Sequence, residues 1–309
     1  MARTVAAFAL SAMISTPALA DQDTSAPPVS EQAPEVRLTG EVVTLPIVMV
    51  REYPFIEASI AGVAGKLMLD TGYRGALVVN DHRVPVAGGR TIGSGFFGSG
   101  QTFEVRLMPE VLDVRIGGLA YPRVTEVRTQ DARLLESITP DFLGWFGFEA
   151  FGTHALKLDY RALQASFYAE GGDYLAGERI VADLPFEIRR LPNMPLMTGG
   201  LSDMRIVVSW DTGQYGALYT TEAGKARLLS EGILTPSATD PDAFDVHGLD
   251  INGHRLPVIP AVEVRTEPSP ASGSIGITEA DHMTLGYGLL QQFKTVWDFP
   301  QGRIILLEP

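Results

Sequence analysis

The sequence predicts an all-β protein, mainly β with a few short helices, built as two similar lobes. Three observations carry this. The 309-residue chain holds 32 Gly and 21 Pro, which fall between short runs of alternating or β-branched character such as 42–50, 55–60 and 205–209. That is the pattern of many strands joined by turns. Helical spacing is convincing in few places, best over 222–231, where Thr220 or Thr221 can cap the start and Gly232 the end. Finally, segments of the first half recur in the second at near-constant spacing.

From the N-terminus, Arg3 supplies a positive start, an apolar stretch covers 5–14, and Ala18-Leu19-Ala20 offers small residues for cleavage. Residues 1–20 therefore read as a signal peptide. Ser11, Ser15, Thr16 and Pro17 interrupt the stretch well short of the roughly 20 apolar residues that a membrane span needs. The expectation is export to the periplasm or the exterior, with no stable membrane insertion after cleavage. Residues 21–40, rich in Pro, Ser, Gln and acids, are too polar to bury a core and read as a flexible leader. The remainder divides into an N-terminal lobe, 41–180, and a C-terminal lobe, 181–309.

Composition excludes several classes. With 0 Cys there are no disulfides, thiolate nucleophiles or zinc-cysteine sites. A formal net charge of -13 argues against a nucleic-acid partner. His82, His154, His247, His254 and His282 show no paired metal-ligand spacing and read as surface or satisfied loop residues. No serine elbow of the GxSxG form is present. No cofactor and no metal are expected.

The internal repeat is the most specific feature. Residues 70–77 read DTGYRGAL and residues 211–218 read DTGQYGAL, with six of eight positions identical at a separation of 141. Pro54 and Pro195 keep the same separation, Leu143-Gly144 and Leu285-Gly286 lie 142 apart, and Asp159-Tyr160 and Asp298-Phe299 lie 139 apart. In each half an apolar run, Leu67-Met68-Leu69 or Ile206-Val207-Val208, delivers an aspartate into a Thr-Gly turn. Strand interiors disfavour Asp, and a lone DTG is adequately explained as a turn. A duplicated β-domain with structural turns accounts for the glycines but leaves the repeated aspartate unexplained. Asp159 and Asp298 read as turn or cap residues.

On these motifs the chain resembles the aspartic peptidases over 41–309. It is pepsin-like in carrying both lobes on one chain, and akin to retropepsins and their bacterial relatives in its short, self-similar lobes. The resemblance implies a bilobal acid-protease-like fold with a pseudo-twofold repeat, a peptide or protein substrate, and Asp70 and Asp211 as the catalytic pair. It further implies that Thr71 and Thr212 bond across the lobe junction and that Gly72 and Gly213 let backbone amides approach the carboxylates. Phe142-Leu143-Gly144 and Thr284-Leu285-Gly286 are expected to brace the aspartate loops. The segment 91–100, TIGSGFFGSG, is expected to form a glycine-tipped flap in which Gly95, Phe96 and Phe97 meet substrate, with packing of the two aromatics between hairpin and lobe as the alternative. The same stretch matches a dinucleotide fingerprint, but the strand-period alternation of Phe103, Val105 and Leu107 follows it in place of a helix.

Two carboxyls a few ångströms apart resist double ionisation and hold one proton between them, so one can take a proton from water while the other gives one to a carbonyl oxygen. Duplicated environments do not suit a two-carboxylate glycosidase, whose acid and base differ. Tyr73 and Gln214 stand where the family carries Ser, Thr or Ala. Side chains of that bulk are expected either to point outward or to fill substrate space, and the second outcome keeps open a non-catalytic two-lobed protein that binds a peptide. Strand alternation points Trp210 away from the face carrying Asp211.

Overall fold

A computed structural model describes residues 13–15, 36–86, 88–96 and 101–309. Most of the expected signal peptide and leader, like the flap residues Phe97 to Gly100, lies outside the described residues. Met13–Ser15 forms a short strand antiparallel to Arg90–Phe96. Among the described residues no helix is long and apolar enough to cross a membrane.

The architecture is bilobal and mostly β, and the described residues form two nine-stranded sheets and a six-stranded sheet to which both halves contribute strands. In the first lobe Tyr53–Ile60 and Val63–Asp70 form a hairpin. In the second, Leu196–Leu201 and Met204–Trp210 form its counterpart. The buried positions of Thr102–Ile116 include Phe103 and Val105 while Thr102 and Glu104 face solvent, the period of a half-buried strand. This long strand pairs at its far end with Tyr53–Ile60 and closes the first sheet on itself.

The six-stranded sheet carries the pseudo-twofold axis. Ala155–Asp159 and Lys294–Asp298 lie side by side at its centre, each with its own hairpin partner, Gln164–Tyr168 or Arg303–Leu307. Val42–Pro46 and Ile180–Pro185 form the two edges. The hairpin turns repeat as well. Asp159 accepts the amides of Arg161 and Ala162, and Asp298 accepts that of Gln301 at 3.1 Å, the turn role expected of both.

One apolar cluster runs through both lobes and this sheet, including Phe146, Phe151 and Phe167 from the first half and Trp210, Leu285 and Trp297 from the second. Trp210 does turn away from the aspartate loop. Its indole donates to the Met197 sulfur at 3.2 Å and meets Trp297 edge-on at 6.3 Å between ring centres. The helix Glu222–Ser230 is capped by Thr221, whose hydroxyl accepts the Gly224 amide at 3.0 Å. Gly232 follows it at φ +69°, the left-handed stop a helix favours.

His282 departs from expectation. It is neither a surface nor a loop residue but opens the buried strand His282–Leu285, 4% exposed and stacked on Tyr219 at 4.5 Å. Its Nδ1 has no hydrogen-bond partner among the described residues. Burial pushes its pKa down from 6.5 to about 4, opposed by the nearby Glu279 and Asp281 charges. The unfolded chain therefore binds a proton that the fold refuses between those two values, and stability is lost as pH falls through that window. His282→Phe, which preserves the stack, should remove up to ~3 kcal/mol of this acid-side loss. Urea unfolding of both proteins at about pH 4.5 and about pH 7 measures it; parallel losses in the two would count against the buried imidazole as the cause.

Candidate active site

Each aspartate sits at the end of a strand whose neighbour is central to its sheet. Phe142–Gly147 runs parallel to Val63–Asp70, with Gly147 opposite Asp70, and antiparallel to Leu77–Asn80 on its other side. His282–Leu285 lies in the same way between Met204–Trp210 and Gly216–Tyr219, and the Asp211 amide donates to Leu285 O at 2.9 Å. The two arms of each loop thus grip a bracing strand, which ends in a glycine because the loop passes over it. A Cβ on Gly147 would lie 2.4 Å from Gly75 O and 2.5 Å from Tyr73 O, and one on Gly286 would lie 2.1 Å from Gln214 O. No side chain fits at either position.

This corrects the assignment of the first brace. The partner of Thr284-Leu285-Gly286 is Trp145-Phe146-Gly147, not Phe142-Leu143-Gly144. A register shift between Phe142 and Gly144 adds a residue to the strand, after which the halves keep a separation of 139, as Asp159 and Asp298 do. Gly144 is constrained for a different reason. At φ +138° it passes so close to Leu77–Asn80 that a Cβ would lie 1.9 Å from Val78 O.

The loops interlock across the junction. The Thr71 amide donates to Thr212 Oγ1 at 2.9 Å and the Thr212 amide to Thr71 Oγ1 at 3.1 Å. Thr212 Oγ1 in turn donates to Leu69 O at 2.9 Å. Each carboxyl lies over the glycine of the opposite lobe. A Cβ on Gly72 would be 2.5 Å from Asp211 Oδ2, and one on Gly213 would be 2.5 Å from Asp70 Oδ2. Main-chain donors hold the other oxygens, with Tyr73 N to Asp70 Oδ1 at 3.0 Å and Gly213 N to Asp211 Oδ1 at 2.7 Å.

Both carboxyls are 0% exposed. Burial first, then the Asp211 charge and a hydrogen bond shared with its carboxyl, raise the pKa of Asp70 well above the ordinary carboxylate value, against the lowering effect of the Gly72 and Tyr73 amides. As bare carboxylates the two groups offer each other no donor, and Asp70 Oδ2 is then buried without a partner. One proton on the pair turns that contact into the shared bond. The neighbouring Tyr53 hydroxyl is held neutral by burial, Glu52 and both aspartates.

Tyr73 takes neither of the two positions expected of it. It turns inward, 0% exposed, stacks on Trp145 at 4.8 Å, and donates from its hydroxyl to Gln130 Oε1 at 2.7 Å. It anchors the Asp70 loop to the strand Leu119–Gln130 and occupies core volume. Gln214 is 8% exposed, and its carbonyl accepts the Tyr287 amide at 2.8 Å, as the Tyr73 carbonyl accepts that of Phe148 at 2.9 Å.

The expected flap is a hairpin between Arg90–Phe96 and Thr102–Ile116, in which Gly95 and Phe96 pair with Phe103 and Thr102. Phe97 lies outside the described residues. A residue not anticipated from sequence is Asn193, which is 0% exposed and crosses from the second lobe to the first. Its Nδ2 donates to Thr71 O at 3.2 Å and Gly72 O at 2.7 Å. Its one signal in the sequence is a polar side chain shortly before Pro195, where the first repeat has Glu52 before Pro54. Among the described residues no cluster of His, Asp or Glu could hold a metal ion.

No protein-family model and no curated protein sequence matches the chain. Solved structures do. The aspartic proteinase from Irpex lacteus superposes with a TM-score of 0.52 at 12% identity, covering 86% of this chain and 97% of that one. At that identity the likeness establishes the fold.

Two outcomes follow for stability. Asn193→Ala leaves two buried carbonyls of the Asp70 loop short of a donor and should cost about 1–3 kcal/mol in urea unfolding; an unchanged midpoint would show the contact to be idle. Asp70 binds in the fold a proton that the unfolded chain releases above its ordinary 3.8, so its contribution to stability is lost as pH rises from there toward the raised value. Asp70→Asn should therefore unfold at higher urea than wild type near neutral pH, with the gap closing toward about pH 3. A lower midpoint at neutral pH would mark Asp70 as a structural turn residue.

Proposed function

We propose that the chain hydrolyses peptide bonds, as an aspartic-type endopeptidase, with Asp70 and Asp211 as its acid-base pair. The observation that carries this reading is the interlocked junction, which holds two buried carboxyls over each other's glycines so that they share one proton. The ionised carboxylate accepts a proton from a water whose oxygen attacks the peptide carbonyl carbon. The protonated partner donates to the carbonyl oxygen, which gives a neutral tetrahedral diol. Return of a proton to the amide nitrogen lets the C–N bond break, and the products are a carboxylic acid and an amine. Thr71 and Thr212 keep the two carboxyls at fixed separation, and the buried surroundings strengthen each proton transfer. The expected partner is a peptide or protein encountered outside the cytoplasm.

A specific observation favours a second reading, a two-lobed peptide-binding protein without turnover. Both carboxyls are completely buried in this conformation, so a substrate reaches them only after the surrounding chain moves. A peptide library incubated with wild type between acid and neutral pH, with new termini read by mass spectrometry, separates the two. Peptidase activity predicts new termini, and Asp70→Asn and Asp211→Asn should each lower turnover by about 10²–10⁴-fold with the fold retained. The double variant should be little worse than either single, because the pair acts as a unit. Peptides bound but never cut would favour the binding protein.

A further inference from the structure

Arg128 is a half-buried arginine on the strand Leu119–Gln130. It is paired in register with Leu107 on one side and Val78 on the other. Residues opposite one another across strands share a face, so Arg128 lies on the face of Val78, which packs with Tyr53, Tyr73, Phe103, Val105 and Trp145. Tyr53 of this cluster feels the charge of both aspartates. The guanidinium sits at the end of the Asp70 loop. A Cβ on Gly75 would lie 2.8 Å from Val78 Cγ2, 3.5 Å from the Tyr73 ring and 3.8 Å from Arg128 Nη1, so the bare glycine lets loop, ring and cation approach one another closely. The charges of Arg128 and Asp70 act on the Tyr73 hydroxyl in opposite senses.

Among the described residues the Arg128 side chain makes no ion pair or hydrogen bond. Other partly buried arginine side chains of the chain have partners. Arg106 donates to Gly89 O at 3.2 Å, Arg189 is paired with Glu187 and Glu279, Arg265 with Glu263, and Arg303 with Asp183. Acids are not scarce, at 37 against 24 bases. A guanidinium presents five donors, and partial burial without an acceptor costs hydration that nothing among the described residues restores. A carboxylate supplied from outside restores it, in the fork geometry that arginine favours.

We propose that Arg128 is a specificity-determining cation of the cleft, which receives the carboxylate of an aspartate or glutamate side chain two or three residues from the bond placed over Asp70 and Asp211. An extended peptide advances about 3.3 Å per residue, so such a side chain lies about 7–10 Å along the peptide from the cleaved bond. The substrate class is thus an acidic peptide. In a chain of net charge -13 the overall field opposes such a substrate, and a local cation selects where it lies.

This rests on the peptidase reading for its chemistry but not for its test. Peptides matched except for Glu or Gln at each position around the cleaved bond give a ratio of kcat/KM for wild type, Arg128→Met and Arg128→Glu. At one position wild type should favour Glu about tenfold, Arg128→Met should bring the ratio close to one, and Arg128→Glu should invert it in favour of Gln. A second arm measures binding of the same peptides to Asp211→Asn with and without Arg128→Met. An acidic preference in binding that Arg128→Met abolishes supports the assignment even if wild type cuts nothing, an outcome that removes only the peptidase reading. A ratio that Arg128→Met leaves unchanged in both arms overturns it.

Discussion

The structure depends on an exchange of backbone and side-chain groups between two loops that belong to different halves of the chain. Thr71 and Thr212 each accept the other's amide, and each carboxyl rests where a side chain on the opposite glycine would be. Neither loop is complete alone. A buried amide without an acceptor costs ~1–3 kcal/mol, so neither loop can stay buried at this junction without the hydroxyl that the other supplies. The same exchange is what presses two acids together, and it makes their proton affinity a property of the pair.

Packing reinforces this junction from below. The central strands of the six-stranded sheet come one from each half, and a single apolar cluster continues through them into both lobes. Trp210, adjacent to Asp211, reaches that sheet through Trp297, while Tyr73 ties the other loop to the strand Leu119–Gln130 of the first lobe through Gln130. Asn193 adds a cross-lobe support to the Asp70 loop. Rigidity is useful here because acid-base chemistry tolerates little error in the placement of its groups.

Much of this was legible in the sequence because duplication writes the same constraint twice. The repeated DTG, the strand-turn pattern and the Thr221 to Gly232 helix all followed from local chemistry. What escaped depended on partners distant along the chain. The bulk of Tyr73 is visible in sequence, but the space that receives it is made by Trp145 and Gln130, so its inward turn is not. Gly144 and Gly147 both lie in a glycine-punctuated apolar run, and only the register shift decides which of them faces the aspartate. His282 looked like one histidine among five, because nothing local shows that its strand is central. Asn193 and Arg128 carry no motif at all; each is identified by what it bonds, or fails to bond, once the chain is folded.

The central claim is that Asp70 and Asp211 behave as one proton-sharing unit. Carbon-13 NMR of the protein labelled at aspartate carboxyls, titrated from acid to alkaline pH, reads it directly. The account predicts that the two signals titrate together in two well-separated steps, with one proton retained on the pair far above the ordinary carboxylate range. It also predicts that Asp211→Asn lowers the proton affinity left on Asp70, since the second cause of its shift is then gone. Two independent signals, both titrating near the value of a free aspartate, would contradict it.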